Sequence, residues 1–405
     1  MRVTSNLIYN QSMLSMSRAN ERYLKVQERI AEQSDIVRPS DDPNGAGQVL
    51  RLQADTKILE QYDQSMTLAK NALDYESVAL ESMNDVLDDI NRLMIQSVNG
   101  SNAQEDLDAI ADEIENLVNA AADLMNSKDS NGQYIFAGTN SNNPAFVKSP
   151  TGQYVYEGNE AQRKAQISET ISVATTDSGK KIFDDVWTRN TYTSSISAGT
   201  ATLETDMVDQ DAYDAFVANN YNAVNAAQND YTLRTVAGAP DQFEFVDNLG
   251  NVLTSGEYVS GRQIVINGMG FTLTGATGSS VDVTLDTPTR DNVLNQIGNA
   301  ISSLKDGTLS TSERREALQS AFTSISNTQT SIGIASSSVG ARINTIDSRI
   351  SFSDAKKSYN AAAQENIGGL DIYKATTELQ LTESALAASQ LLFTRISSLS
   401  LFNSL

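Results

Sequence analysis

The chain has 405 residues, long enough for roughly three domains. Its 51 acidic against 29 basic residues give a formal net charge of −22, a balance that repels nucleic acid and anionic membrane surfaces. Histidine and cysteine are both absent, which excludes His-based triads, thiolate nucleophiles, disulfides, iron–sulfur clusters and the usual zinc sites.

In chain order, the first element is a stripe of Tyr9, Met16, Tyr23, Ile30 and Val37, seven residues apart, which predicts a short amphipathic helix. Polar residues interrupt the apolar ones here, so no signal-peptide core is expected, and no run of ~18 apolar residues predicts a membrane span. On one side of this helix Arg18, Arg22, Lys25 and Arg29 align at steps of four, three and four. Two readings stay open for them: a salt-bridged surface, or a contact with acidic faces of neighbouring subunits. Pro39-Ser-Asp-Asp-Pro-Asn-Gly45 lacks the alternating ligands and closing Glu of a calcium loop and reads as a hinge with a cap.

Asp42 before Pro43 then opens a long helix. Leu52, Leu59, Met66, Leu73, Leu80 and Leu87 recur every seven residues, with Tyr62, Ala69, Met83 and Ile90 as a weaker second row. Asn99-Gly100 ends it, and Ser101 with Gln104 predicts a capping box for a second helix reaching about Lys128. The carboxylates of these helices, among them Asp85, Asp88, Asp89, Asp108 and Asp112, read as solvated faces; no metal site is expected.

From about Gly132 to Arg290 the composition shifts to Gly, Asn, Thr, Val and Tyr. Residues 133–136, 153–156, 242–246, 263–266, 271–274 and 281–285 read as strands, with turns at Leu249-Gly250-Asn251 and Asn267-Gly268. β-Hairpins are expected at about 132–175, and the alanine-rich segment Asp206–Arg234 is expected to be helical. Trp187 stands near a border. A β-rich domain inserted at 186–288, with its ends close together, would leave the helical body continuous.

Ser310 with Glu313 predicts the cap of a second long helix, whose stripe is Leu318, Ile325, Ile332, Val339 and Ile346. Antiparallel pairing of the two long helices would close a bundle core on both stripes. Gly368-Gly369 separates a final stripe of Ile372, Leu379, Leu386 and Phe393. Such short outer stripes expose apolar faces unless the chain itself or other subunits cover them, and they are expected to be disordered or fraying in the monomer and to order against partner helices. On that reading Leu386→Asp blocks assembly and spares the monomer. The predicted fold is therefore mainly α: a long antiparallel bundle or coiled coil built from both ends of the chain, with an inserted β-rich domain. The expected division is 1–42 with 361–405 as terminal helices, 43–185 with 289–360 as the helical core, and 186–288 as the insert.

Several segments carry a resemblance. Glu28-Arg-Ile-Ala31 with Pro39–Gly45, Asn99-Gly-Ser-Asn102 leading into Ala111–Glu115, Asn131–Thr139, Ala387-Ala-Ser-Gln390 and Ile396–Phe402 together resemble the bacterial flagellin superfamily, and in particular its junction-protein branch. The match covers roughly 1–185 and 290–405. It implies a structural protein without enzymatic activity or cofactor, exported by the flagellar type III route without signal cleavage and held by a cytoplasmic chaperone. It also implies assembly with like subunits at the hook end, between the first hook-associated protein and flagellin, with the insert facing outwards. A flagellin that builds the filament itself is the rival within the superfamily. A carboxylate-dependent metal protein is the rival outside it.

Overall fold

In the computed structural model, residues 2–99 and 102–402 are described, so the predicted Gly100 stop and Ser101 cap lie outside the described residues. Seven α-helices are described: α1 (Arg2–Glu32), α2 (Pro43–Ser97), α3 (Gln104–Met125), α4 (Gln210–Asn220), α5 (Val293–Lys305), α6 (Thr311–Gly368) and α7 (Ile372–Phe402). The chain divides into two compact units, one of residues 1–71, 164–173 and 342–405, the other of 72–163 and 174–341.

In the first unit α1 packs against α7, and the first half of α2 is tied to the last half of α6 by ion pairs. Asp55 receives Lys356 at 2.8 Å, Asp63 receives Lys357 at 2.5 Å and Asp347 receives Lys70 at 2.6 Å, so residues 55 and 63 of α2 meet 356 and 357 of α6 while 70 meets 347, as in an antiparallel pair. The Lys356 ammonium, helped by the Asn360 amide, holds the Asp55 carboxyl below its usual range. Leu59, Met66 and Ile346 are buried here, and Leu52 is half-buried. Asp42 caps α2 by accepting the Asn44 N–H at 3.1 Å. The Pro39–Gly45 turn therefore serves helix initiation.

In the second unit the stripe continues as Leu73, Leu80 and Leu87 on α2 and Leu318, Ile325, Ile332 and Val339 on α6, all buried. Gln329 donates to Asp88 at 2.7 Å across these helices. Ser310 and Glu313 form the expected reciprocal cap: the Ser310 N–H donates to the Glu313 carboxylate, and the Glu313 N–H donates to Ser310 Oγ. Helix α3 is capped by Asp106, which accepts the Ala103 N–H at 3.1 Å. It packs on α5, a helix that the reading by composition passed over. Asn292 caps α5, and Leu294, Ile297, Ile301 and Leu304 are buried along it. Lys305 then ties Asp112 and Glu115 at 2.8 and 2.9 Å, which accounts for part of the acidic face of α3.

Small hairpins follow α3: β1 (Phe146–Lys148) with β2 (Tyr154–Tyr156), and β3 (Lys164–Gln166) with β4 (Ser172–Ala174). Residues 133–136 do not form the expected strand. Only Tyr134 makes an isolated bridge, to Lys128, because Ile135 and Phe136 are drawn into a core where Phe136 meets Phe183 edge-on at 5.3 Å.

The insert begins with β5 (Val186–Trp187), which pairs with β14 (Arg290–Asp291) and so clasps its two ends. Between them lie β6 (Tyr192–Ala198), β7 (Thr202–Met207), β8 (Asp230–Val236), β9 (Gln242–Asp247), β10 (Val252–Glu257), β11 (Gln263–Ile266), β12 (Met269–Thr274) and β13 (Ser280–Leu285). A five-stranded sheet of order β10-β9-β8-β13-β6 and a three-stranded sheet of order β11-β12-β7 share one core. Tyr213, Phe245, Phe271, Leu273, Val281 and Val283 fill it, each essentially inaccessible. The expected long helix over Asp206–Arg234 shrinks to α4. Its start belongs to β7 and its end to β8, in the middle of the larger sheet. Alternation decides the outcome at β8, where Tyr231, Leu233 and Thr235 are buried and their neighbours are not. The Asn267-Gly268 turn is as predicted, both residues having positive φ (47° and 84°) in the tight β11–β12 hairpin.

Candidate assembly interface

The candidate site lies on α1, α7 and the connectors that join them to α2 and α6. Helix α1 stops at Glu32 because Gln33 turns to φ 51°, a left-handed conformation that ends a helix. Ser34 then bridges to Gly369, the Asp35 N–H donates to the Gly368 carbonyl at 2.8 Å, and Ser34 Oγ donates to the same carbonyl at 3.2 Å. Both connectors are thus stitched together by backbone hydrogen bonds. Arg29 reinforces the pairing, contacting Glu378 of α7 at 3.2 Å and also Asp35.

Tyr9, Met16, Tyr23 and Ile30 on α1 are half-buried, as are Leu379, Leu386 and Phe393 on α7. The Tyr9 and Phe393 rings meet at 5.2 Å. Val26 and Ala375 are buried. Two predicted positions differ. Val37 is not part of the α1 stripe, since it falls in the connector five residues beyond the helix end. Ile372 opens α7 and is 59% exposed.

Apart from Ile372, the large apolar side chains exposed on α1 and α7 lie outside these stripes. On α1 they include Leu7, Leu14 and Leu24; on α7 they include Tyr373, Leu381, Leu391 and Leu392. Helical geometry separates the two sets: Leu7 and Leu14 lie across the α1 axis from Tyr9 and Met16, and Leu381 and Leu392 lie away from Leu386. The signal was present in the sequence as a second periodicity, masked by the stronger heptad.

The basic stripe splits. Lys25 pairs with Asp41 at 2.7 Å and Arg29 is engaged as above. Arg18 and Arg22 are exposed and join no ion pair among the described residues. They stand in line with Leu7 and Leu14, giving the outer α1 face a mixed apolar and cationic character on a strongly acidic chain. No described helix is long and apolar enough to cross a membrane. No group of three or more candidate metal ligands converges among the described residues.

Helices from both ends of one chain pack together with apolar residues on their outer faces, and the chain carries a β-rich insert, an architecture shared with known proteins. Residues 3–141 match the family described as the bacterial flagellin N-terminal helical region. The chain is 26% identical over 269 residues to flagellar hook-associated protein 3 of Escherichia coli K12, covering 62% of this chain and 84% of that protein. Its fold resembles the crystal structure of FlgL from Xanthomonas campestris (TM-score 0.56, 23% identity, 76% of this chain and 97% of that one). It also resembles that of the flagellar junction protein FlgL from Legionella pneumophila (TM-score 0.56, 20% identity, 80% and 100%). The chain is flagellin-like in fold. The relatives and solved structures that it is similar to are named as flagellar hook-associated and junction proteins.

Proposed function

We propose that the chain is the structural junction between the flagellar hook and the filament, without catalysis. The observation that carries this reading is the α1–α7 pair, whose outer faces present Leu7, Leu14, Leu381 and Leu392 to solvent on a hook-associated type of chain. Exposed leucines in rows along two helices favour burial against further helices. The partners are like subunits in a ring, the first hook-associated protein on the hook side and flagellin on the filament side, with a cytoplasmic chaperone before export and no cleaved signal. In this scheme residues 1–42 and 361–405 are the assembly module, 43–185 with 289–360 the supporting bundle, and 186–288 a variable domain. Tyr9, Met16, Tyr23, Ile30, Leu379, Leu386 and Phe393 hold the module in register, and the outer leucines meet neighbours.

Seeded assembly on isolated hooks carrying the first hook-associated protein, viewed by electron microscopy, tests the reading. A distal collar of fixed length is the expected result. Filaments that lengthen with time would make the chain a flagellin, and no association would remove the proposal.

A further inference from the structure

The insert meets the helical body at a narrow neck. Its strands β5 and β14 are two residues long, and just beyond them the Thr188 N–H donates to the Thr289 carbonyl at 3.0 Å. A ribbon this short holds two chain ends together but is a poor brace against bending. Two contacts tie the neck to α6. The Asn327 amide donates to the Trp187 carbonyl at 2.8 Å. Arg189 Nη1 stands 3.8 Å from the Glu316 carboxylate. Eleven residues separate Glu316 from Asn327, about 16 Å along the helix. One contact fixes where the neck sits, and the two together fix its direction along α6.

The two partners of the charged contact differ in surroundings. The Arg189 side chain is 5% exposed and that of Glu316 is 69% exposed. On the insert side Arg189 Nε donates to Gln210 Oε1 at 2.5 Å, and Gln210 in turn donates to the Asn190 carbonyl at 3.1 Å. The guanidinium is thereby anchored in the insert through the start of α4. Its Nη1 is buried and makes no hydrogen bond among the described residues. Burial pulls the guanidinium below its usual pKa, and the charges of Glu316 and Asp214 oppose that pull. Asp214 belongs to the insert itself, where Asn190 and Gln210 both donate to it at 2.8 Å, so it compensates Arg189 whatever the tilt of the insert. Glu316 belongs to α6 and compensates Arg189 only while the insert lies along that helix.

We propose that Arg189 and Glu316 form a latch that holds the insert at one tilt along α6, with the β5–β14 ribbon as its pivot. A buried cation that loses a counter-charge gains by returning to water, and tilting the insert away from α6 returns it. The pair is 3.8 Å apart and Glu316 stands in solvent, so dissolved ions compete for its carboxylate. The latch is closed at low ionic strength and opens as salt rises.

The chain contains no cysteine, so two introduced ones carry spin labels without background. Val224→Cys on the insert, where the side chain is 97% exposed, and Ile334→Cys on α6, 68% exposed, report the distance between the two parts by double electron–electron resonance. With Glu316 in place, a narrow distribution is expected at low salt. A broader one with a shifted mean is expected in about 1 M sodium chloride, where charges are screened beyond about 3 Å. Glu316→Gln should give the broad distribution already at low salt, with no further change when salt is added. Glu316→Lys sets a like charge against Arg189 and should shift the mean further. The melt of the β signal by circular dichroism should be the same in all three proteins, because Glu316 lies outside the core of the insert. A distribution that neither salt nor Glu316→Gln alters overturns the latch and leaves Asn327 and the ribbon to hold the tilt. Salt broadening that is equally large in Glu316→Gln overturns it too, since the response then arises elsewhere. The salt comparison with Glu316 in place tests the latch even if a substitution at Glu316 disturbs folding.

Discussion

Single residues show where burial and charge oppose each other. Burial raises the Asp184 carboxyl above its usual range, against the pull of the Asn292 amide, which donates to it at 3.1 Å. A carboxyl whose pKa rises on folding favours the folded state below its unfolded value, and that contribution is lost as pH rises through the folded value. At neutral pH the charged form therefore costs stability. Asp184→Asn keeps an oxygen for Asn292 and should raise the melting temperature at pH 7 while giving little at pH 3. Thermal scans at the two pH values check this, and equal shifts at both would contradict it. In the insert, Phe245 is fully buried and its ring stacks on Tyr231 at 5.3 Å. Phe245→Ala should destabilise that domain by about 3–5 kcal/mol, seen as an earlier melt of the β signal; a change under about 1 kcal/mol would mean the site is not sealed core.

Elements decide which side of a helix does what. The heptads marked Leu386 as an assembly residue whose loss spares the monomer. It is half-buried on α7, on the face where Phe393 meets Tyr9, so it also supports the α1–α7 pair. Leu386→Asp should loosen the α1–α7 pair and lower the helical signal on heating. Leu391→Asp with Leu392→Asp, at 56% and 57% exposure, should leave the melt unchanged and abolish collar formation. Circular dichroism and seeded assembly separate the two, and a lowered melt for the double variant would place those leucines in the monomer. Elements also show what local reading misses. Helix α5 carries an Asn292 cap and an i, i+3, i+7 apolar row, both legible, but it follows a long β-like stretch whose composition dominated. Strand β8 follows an alanine-rich run, and only its partners β9 and β13 fix it as a central strand.

At the scale of the whole molecule, the insert closes its own core and its ends are clasped by β5 and β14. Excising residues 188–289 and joining the flanks with a short Gly/Ser linker should leave the remaining helices folded, and the excised piece should melt cooperatively by itself. Loss of helicity in the shortened chain, read by circular dichroism, would show that the insert props up the bundle. Composition by itself determined which chemistry is missing: without histidine or cysteine no imidazole or thiolate site can form, and at −22 no strongly basic surface is expected. Heptad spacing determined the long helices and most of their buried stripe, because a 3.5-residue repeat leaves few ways to hide its apolar side. Tertiary structure alone decided that the end stripes face each other, that Val37 lies in the connector beyond α1, and that Leu7, Leu14, Leu381 and Leu392 stay exposed. The physical reason is that periodicity identifies an apolar face, whereas which helix covers it depends on residues hundreds of positions away, such as Glu378 reaching Arg29 and Gly369 reaching Ser34.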